Sequence, residues 1–338
     1  MELTEVPSPN PSKNEVVIHI RAAALNHRDL FITQGQYAGI QLPVILGSDG
    51  AGELDSSVAS SVASSVASSV ASSFAVTTAD KKATADKKVI IYPALEWGDN
   101  PNFQSKNFRV LGMPENGTFA EQICIPRANI FPMPGHLSWE QAAALPLAGL
   151  TAWRTLFSRC QLKKEERVLI TGIGGGVALT ALQLAVAAGA EVFVSSGSDA
   201  KIERAVALGA KGGANYREAG WEKQLKQEAG GFDVIIDSAG GDGFALFPSL
   251  CNPGARVGFY GGTLGKVNGL SLQPLFWKQI SLLGSTMGSP REFKAMLAFV
   301  QKHEIVPVVD SVFALSEGAK AFEKMGKGDQ FGKIVMKV

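Results

Sequence analysis

The sequence predicts an α/β protein, with a doubly wound parallel sheet over its second half and a strand-rich region before it. Three observations carry that prediction. From about residue 165, short β-branched runs alternate with helical stretches, the pattern of a parallel sheet covered on both faces. One such run, Val168-Leu-Ile-Thr171, leads directly into a glycine turn that opens a helix. Glycine is also abundant, 37 of 338 residues or about 11%, where about 7% is usual. It clusters at 172–176, 240–243, 258–265 and 284–288, as happens where backbone turns tightly or meets a ligand closely.

The elements follow in order. Glu15-Val-Val-Ile-His-Ile-Arg21 alternates as a strand, Val44–Leu46 after Pro43 reads as another, and Gly47–Gly52 as a glycine-rich bend. From Ser56 the unit Ser-Ser-Val-Ala runs four times, then Thr-Ala-Asp-Lys-Lys twice. A period of four matches no solenoid, and a half-serine stretch buries little. Residues 54–88 are therefore expected to be a low-complexity loop, an extension that costs only about 0.6 kcal/mol per doubling of length. Val89–Tyr92 and Thr118–Ile125 read as strands on either side of a long loop, and Trp139–Arg154 as an apolar helix.

The alternation proper has strands at 168–171, 192–194, 214–216, 234–236, 257–260 and 281–283. Helices are expected at 177–188, 200–208, 222–228, around 245–250, and at 292–302. Ile305–Val312 and Ile334–Val338 are strand-like and return to the first region.

Composition excludes several classes. Lys plus Arg is 32 against 31 for Asp plus Glu, a net charge of +1, without the basic excess that phosphate neutralisation demands. No nucleic-acid or membrane partner is expected. Three scattered cysteines, Cys124, Cys160 and Cys251, build neither a disulfide framework nor a multi-thiolate zinc site. Val168–Ala190 carries no charge, but its five glycines suit strand, turn and buried helix rather than a membrane span. The polar, proline-rich start has no apolar signal core, and a cytoplasmic protein is expected.

The motif Val168-Leu-Ile-Thr-Gly-Ile-Gly-Gly-Gly-Val177 carries the chemistry. Missing side chains at Gly172, Gly174, Gly175 and Gly176 let a pyrophosphate approach the backbone, and the following helix aims N–H groups and positive dipole at it. The literal GxGxxG spacing fails, so the argument rests on strand before, helix after and further strands beyond. At the end of the second strand, where an NAD site usually places an acid, the chain reads Val194-Ser-Ser-Gly-Ser-Asp-Ala-Lys201. Ser196 and Lys201 suit a 2′-phosphate, which favours NADPH. Asp199 is the competing NAD-type acid, read instead as capping the next helix.

These features, with Ala23-Ala-Leu-Asn-His-Arg-Asp29, Leu46–Gly52, Gly117–Glu121, Ala142–Ala152, Leu208-Gly-Ala210, Asn215-Tyr216 and Phe331-Gly-Lys-Ile-Val335, resemble the medium-chain dehydrogenase/reductase superfamily, in its zinc-free quinone oxidoreductase-like branch. The resemblance spans nearly the whole chain except 54–88. It implies a GroES-like, mainly-β catalytic domain from residues 1–145 and 289–338 around a Rossmann domain at 146–288, with NADPH in the cleft and a homodimer. By position it implies 2′-phosphate contacts from Lys201 and Tyr216, and a nicotinamide neighbourhood including Asn26 and Thr151. Val177, Gly258, Gly284 and Ser289 fall where relatives line the cofactor, and Asn26 and Tyr37 are the catalytic candidates, Tyr37 as an aromatic proton donor. Tyr92 and Tyr260 are further hydroxyl candidates.

Zinc-dependent relatives carry Cys, His-Glu and Cys where this chain resembles them with Asn26, Ser48-Asp49 and Leu147, so no metal is expected. Hydride would then go to an acceptor that spreads its own charge, a quinone or an α,β-unsaturated carbonyl, rather than to one needing a Lewis acid. Alternatives are an NADPH-binding sensor or structural protein without turnover, and a zinc-type alcohol dehydrogenase. Family members usually begin with an extra hairpin that has no counterpart before Met1–Thr4, and Ala178 stands where the family's turn usually ends in glycine.

Overall fold

The computed structural model describes residues 2–55 and 88–338. The serine-rich repeats lie outside the described residues. The chain divides into two compact units, Met1–Leu147 with Ser289–Val338, and Ala148–Gly288.

The first unit opens with β1 (Glu15–Ala24), α1 (His27–Thr33), β2 (Asp49–Leu54), β3 (Lys88–Ile91), β4 (Ala94–Leu95), β5 (Arg109–Val110), β6 (Gln122–Pro126), β7 (Ile130–Pro132) and α2 (Trp139–Ala143). In β1, Val16, Ile18 and Ile20 are buried while their neighbours alternate outward, the period-two pattern of a half-buried strand. Gly47–Gly52 is not a bend throughout, because β2 begins at Asp49 and takes Gly50 and Gly52 into the sheet. Gly52 lies opposite Ile20, and a side chain there would run into the His19 carbonyl. Both ends of the segment 54–88 are strand: Leu54 closes β2, Lys88 opens β3, and Glu53 and Lys88 pair across the ladder.

Val44–Leu46 is not a strand. Its carbonyls are used by a loop instead, Ile45 accepting from Gly117 N–H at 2.7 Å and Leu46 from Phe119 N–H at 2.9 Å. The apolar helix expected over 139–154 is broken by Pro146, which cannot donate to the preceding turn. It splits into α2 and α3 (Pro146–Trp153), and a π-helical turn at Arg154–Arg159 follows.

The second unit contains β8 (Arg167–Ile170), α4 (Gly176–Ala187), β9 (Glu191–Ser196), α5 (Asp199–Ala207), β10 (Gly212–Asn215), α6 (Trp221–Ala229), β11 (Phe232–Asp237), α7 (Phe247–Leu250), β12 (Cys251–Phe259), α8 (Leu272–Trp277) and β13 (Ser281–Gly284). All six strands are parallel, in the order β10-β9-β8-β11-β12-β13. Succession reverses direction between β8 and β11, so a ligand crevice is expected outside their carboxyl ends. The uncharged stretch 168–190 is mostly β8, a turn and α4. No helix among the described residues is long and apolar enough to cross a membrane.

The chain then returns to the first unit with α9 (Pro290–Lys302), β14 (Val309–Ala314), α10 (Gly318–Lys327) and β15 (Lys333–Lys337). That unit's main sheet runs β14-β15-β1-β2-β3-β7, with β6 also on β1. The antiparallel register Ala22↔Lys337 and Ala24↔Val335 carries the C-terminal strand alongside the turn that holds Asn26.

Candidate active site

In the second unit the carboxyl ends of the central strands are built around the β8–α4 turn. Gly172 and Gly174 have φ of +62° and +130°, the second a conformation that residues with side chains rarely adopt. Ile173 N–H donates to the Ser195 carbonyl at 2.9 Å, fastening the turn to β9. Gly175 is the N-cap of α4 and supplies no side-chain cap, so the first N–H groups of that helix have no acceptor from their own cap. A Cβ added at Gly172 or Gly175 would meet nothing within 4 Å. Asp237, 2% exposed at the end of β11, accepts from Thr171 Oγ1 at 2.5 Å and Gly240 N–H at 2.8 Å, bracing the two central strand ends. Val177 lies in the first turn of α4.

At the end of β9, Ser196 is buried and its hydroxyl accepts from Ser198 N–H at 3.3 Å. A side chain at Gly197 would press on Tyr216 Oη and Arg217 Nε, each at 2.9 Å, so a phenol and a guanidinium stand together over this glycine. Lys201 lies in the first turn of α5. Asp199 does not cap by side chain as expected: Ser198 is the N-cap, and the Asp199 carboxylate accepts from Asn215 Nδ2 at 3.1 Å. Sequence reasoning missed Arg217. Its signal was available as the basic residue directly after Asn215-Tyr216.

In the first unit, Asn26 is the N-cap of α1 and 8% exposed. Its Oδ1 accepts from Lys333 Nζ at 2.6 Å, and its Nδ2 donates to Asp49 Oδ2 at 3.0 Å. Lys333 Nζ also donates to Asp49 Oδ2 at 2.9 Å, and Leu147 N–H to Asp49 Oδ1 at 2.8 Å. Asn26, Asp49 and Leu147 therefore converge on one carboxylate and one ammonium. Asn26 N–H donates to Asp29 Oδ2 at 2.8 Å. Burial pushes the Asp29 carboxyl up to about 6, against the opposing pull of that bond, Arg28 and Lys333.

Arg28 organises the other side. It donates to Ser48 Oγ and the Leu111 carbonyl, both at 2.7 Å, and to the Met113 carbonyl at 3.2 Å. Its guanidinium lies 5.1 Å from the centre of the Tyr37 ring, with Nε 3.5 Å from the phenol oxygen. Tyr37 is thus a half-buried partner of Arg28, and Ser48 is tied to the same cation.

The remaining candidates are placed as follows. Thr151 is buried in α3. Gly258 lies within β12, where a side chain would strike Cys160 Sγ and Thr155 Cγ2 at 2.7 Å, so its bareness serves helix packing. Gly284 ends β13 and is exposed. Ser289 belongs to the first unit, where its hydroxyl caps α9 in a reciprocal pair with Glu292. Tyr92 is core, packed on Phe293 and Phe131. Burial and Asp237 hold the Tyr260 phenol above its ordinary range, so it is a poor proton donor. Burial pushes Cys124 up to about 11 and Cys160 and Cys251 up to about 12, which keeps these thiols neutral and unreactive. Among the described residues no group of three or more His, Cys, Asp or Glu is disposed to hold a metal ion.

Two family models match: the alcohol dehydrogenase GroES-like domain over residues 12–135 and the zinc-binding dehydrogenase domain over 176–302. The chain is 34% identical, over its full length and 94% of the other protein's, to a zinc-type alcohol dehydrogenase-like protein, YogA, of Leptosphaeria maculans. It is 30% identical, over 72% of the chain and 73% of its counterpart, to quinone oxidoreductase-like protein 2 of Bos taurus. Among solved structures, one of an NAD-dependent alcohol dehydrogenase superposes with a TM-score of 0.85 at 31% identity, covering 99% of this chain and 95% of that one.

Proposed function

We propose a function from one premise: the chain belongs to the medium-chain dehydrogenase/reductase superfamily, in its quinone oxidoreductase-like branch, and is an oxidoreductase of that family. On that premise it is an NADPH-dependent reductase of quinones or α,β-unsaturated carbonyls that works without a metal ion. The observation that carries this reading is the bare β8–α4 turn, whose open surface leads into an uncapped helix N-terminus. The residues present fit a pyrophosphate there. Lys201, Tyr216 and Arg217 fit a 2′-phosphate, and Asp199, the acid at the start of α5, is engaged by Asn215.

NADPH, when bound, supplies a hydride to an electron-poor carbon. Negative charge then develops on the acceptor's oxygen. Asn26 offers an amide proton to that oxygen, stabilising the developing negative charge, and water supplies the proton that completes reduction. Tyr37 is a second source of that proton, since its phenol oxygen only accepts from Arg28 and its own O–H stays available. The donor set does not fit zinc: Leu147 brings no ligand atom, and the Lys333 ammonium already supplies Asp49 with its cation. An acceptor that delocalises its own charge matches a site that polarises only through hydrogen bonds.

The acting species is a homodimer in the cytoplasm. Its contact is the free edge of β13, with Leu264, Leu272, Phe276 and Trp277 exposed by 66% to 81%, a large apolar area for a solitary surface. The test of the whole reading is NADPH oxidation against a panel of quinones, enones and saturated aldehydes. Turnover confined to the conjugated acceptors supports it. Tight NADPH binding without turnover of any acceptor would make the protein a sensor.

A further inference from the structure

We infer that Lys333 and Asp49 are positioning residues that fix which way the Asn26 carboxamide faces, leaving one Nδ2 proton as the hydrogen-bond donor to the acceptor's carbonyl oxygen. The inference rests on the reductase reading. A carboxamide has two nearly isosteric ends, and nothing in its own shape decides between them. Here the neighbours decide. An ammonium can only donate, so it selects Oδ1, and a carboxylate can only accept, so it selects Nδ2. Lys333 Nζ and Asp49 Oδ2 take those two ends at 2.6 and 3.0 Å, and they bond each other at 2.9 Å, closing a triangle.

Every member is buried: Asp49 is fully so, Lys333 is 5% exposed and Asn26 8%. In that low dielectric the reversed amide, with NH₂ against NH₃⁺ and oxygen against carboxylate, is heavily disfavoured. The triangle is itself anchored. Leu147 N–H holds the second oxygen of Asp49, and Asp29 holds the Asn26 backbone N–H as the start of α1. Lys333 stands 307 residues beyond Asn26, and its arrival depends on β15 pairing with β1. Asp49 takes one of the two Nδ2 protons, and the second remains for substrate.

The test is a double variant, Lys333→Met with Asp49→Asn, which removes both buried charges together and leaves neither unpaired. In it, the amide introduced at position 49 can donate to Asn26 Oδ1, and the Asn26 carboxamide turns over. The expected result is an unchanged fold and an NADPH Kd within about twofold of wild type. kcat for a quinone falls about 10²-fold, the scale of losing one oxyanion donor. Adding Asn26→Ala costs nothing further, because the interaction is already lost. Wild-type kcat in the double variant, or a loss that multiplies in full with that of Asn26→Ala, would overturn the inference.

A measurement on the unmutated protein stands beside it in case the variant fails to fold. With asparagine labelled by ¹⁵N, the Asn26 side-chain amide should show one proton shifted downfield and protected from solvent exchange by Asp49. Free-amide exchange of both protons would overturn the orientation. If wild-type protein turns over no acceptor with NADPH, the function reading fails and the donor role with it, while this measurement still decides the orientation.

Discussion

Position 217 carries a guanidinium beside the Tyr216 phenol, over a glycine that leaves room for both. With Lys201 it gives the end of β9 two cations, while the acid there, Asp199, is bound by Asn215. Charge-assisted contacts of this kind contribute about 1.5–3 kcal/mol each before solvent screening. Lys201→Ala and Arg217→Ala should therefore each weaken NADPH about tenfold or more and leave NADH nearly unchanged, as read by fluorescence titration with both nucleotides. Equal losses for the two would remove the residue from 2′-phosphate recognition.

Asp29 carries a second residue-scale prediction. Its carboxyl, lifted to about 6 by burial, binds its proton more tightly in the folded protein than in the unfolded chain. Stability from this group is then fully present below about pH 4, is lost as pH rises towards 6, and stays lost above it. A shift of about two units corresponds to ~3 kcal/mol. Asp29→Asn can still accept from Asn26 N–H, so its stability relative to wild type should rise across that window. Urea unfolding of both proteins at pH 5 and pH 7 checks this, and a constant difference would contradict it.

At the scale of elements, what was legible follows from burial. Strands β8, β9 and β11 are apolar runs buried on both faces, so their sequences announce them. Helix α8 has no fully buried residue, and a helix without a buried stripe leaves little periodic trace. Val44–Leu46 misleads because its apolar side chains resemble a strand, while its carbonyls serve the loop at 117–119. Asn26 was legible as a candidate, but its partners were not, since Asp49 and Lys333 reach it only through strand pairing. The β8–α4 turn gives the element-scale prediction. A Cβ at Gly175 has open space around it, and Gly175→Asp would cap α4, changing stability by only a few tenths of a kcal/mol. It also puts a carboxylate where a pyrophosphate is proposed to sit, so NADPH affinity should fall about 10²-fold or more while the thermal midpoint holds. Unchanged affinity would make the turn merely structural.

The whole molecule returns its C-terminal strand to its N-terminal sheet, and that return delivers Lys333 to Asn26 and Asp49. At this scale the exposed β13 edge predicts assembly: Trp277→Glu with Leu282→Lys should convert a dimer into a monomer by light scattering without unfolding it, and a monomeric wild type would contradict that assignment. The central claim is narrower and concerns the reaction. It is tested most directly by following NADPH absorbance with a quinone, before and after exhaustive chelation. NADPH should be lost in one-to-one step with quinone, at the same rate in chelated protein, and NADH much more slowly. A rate abolished by chelation and restored by added zinc, or no consumption at all, would contradict it.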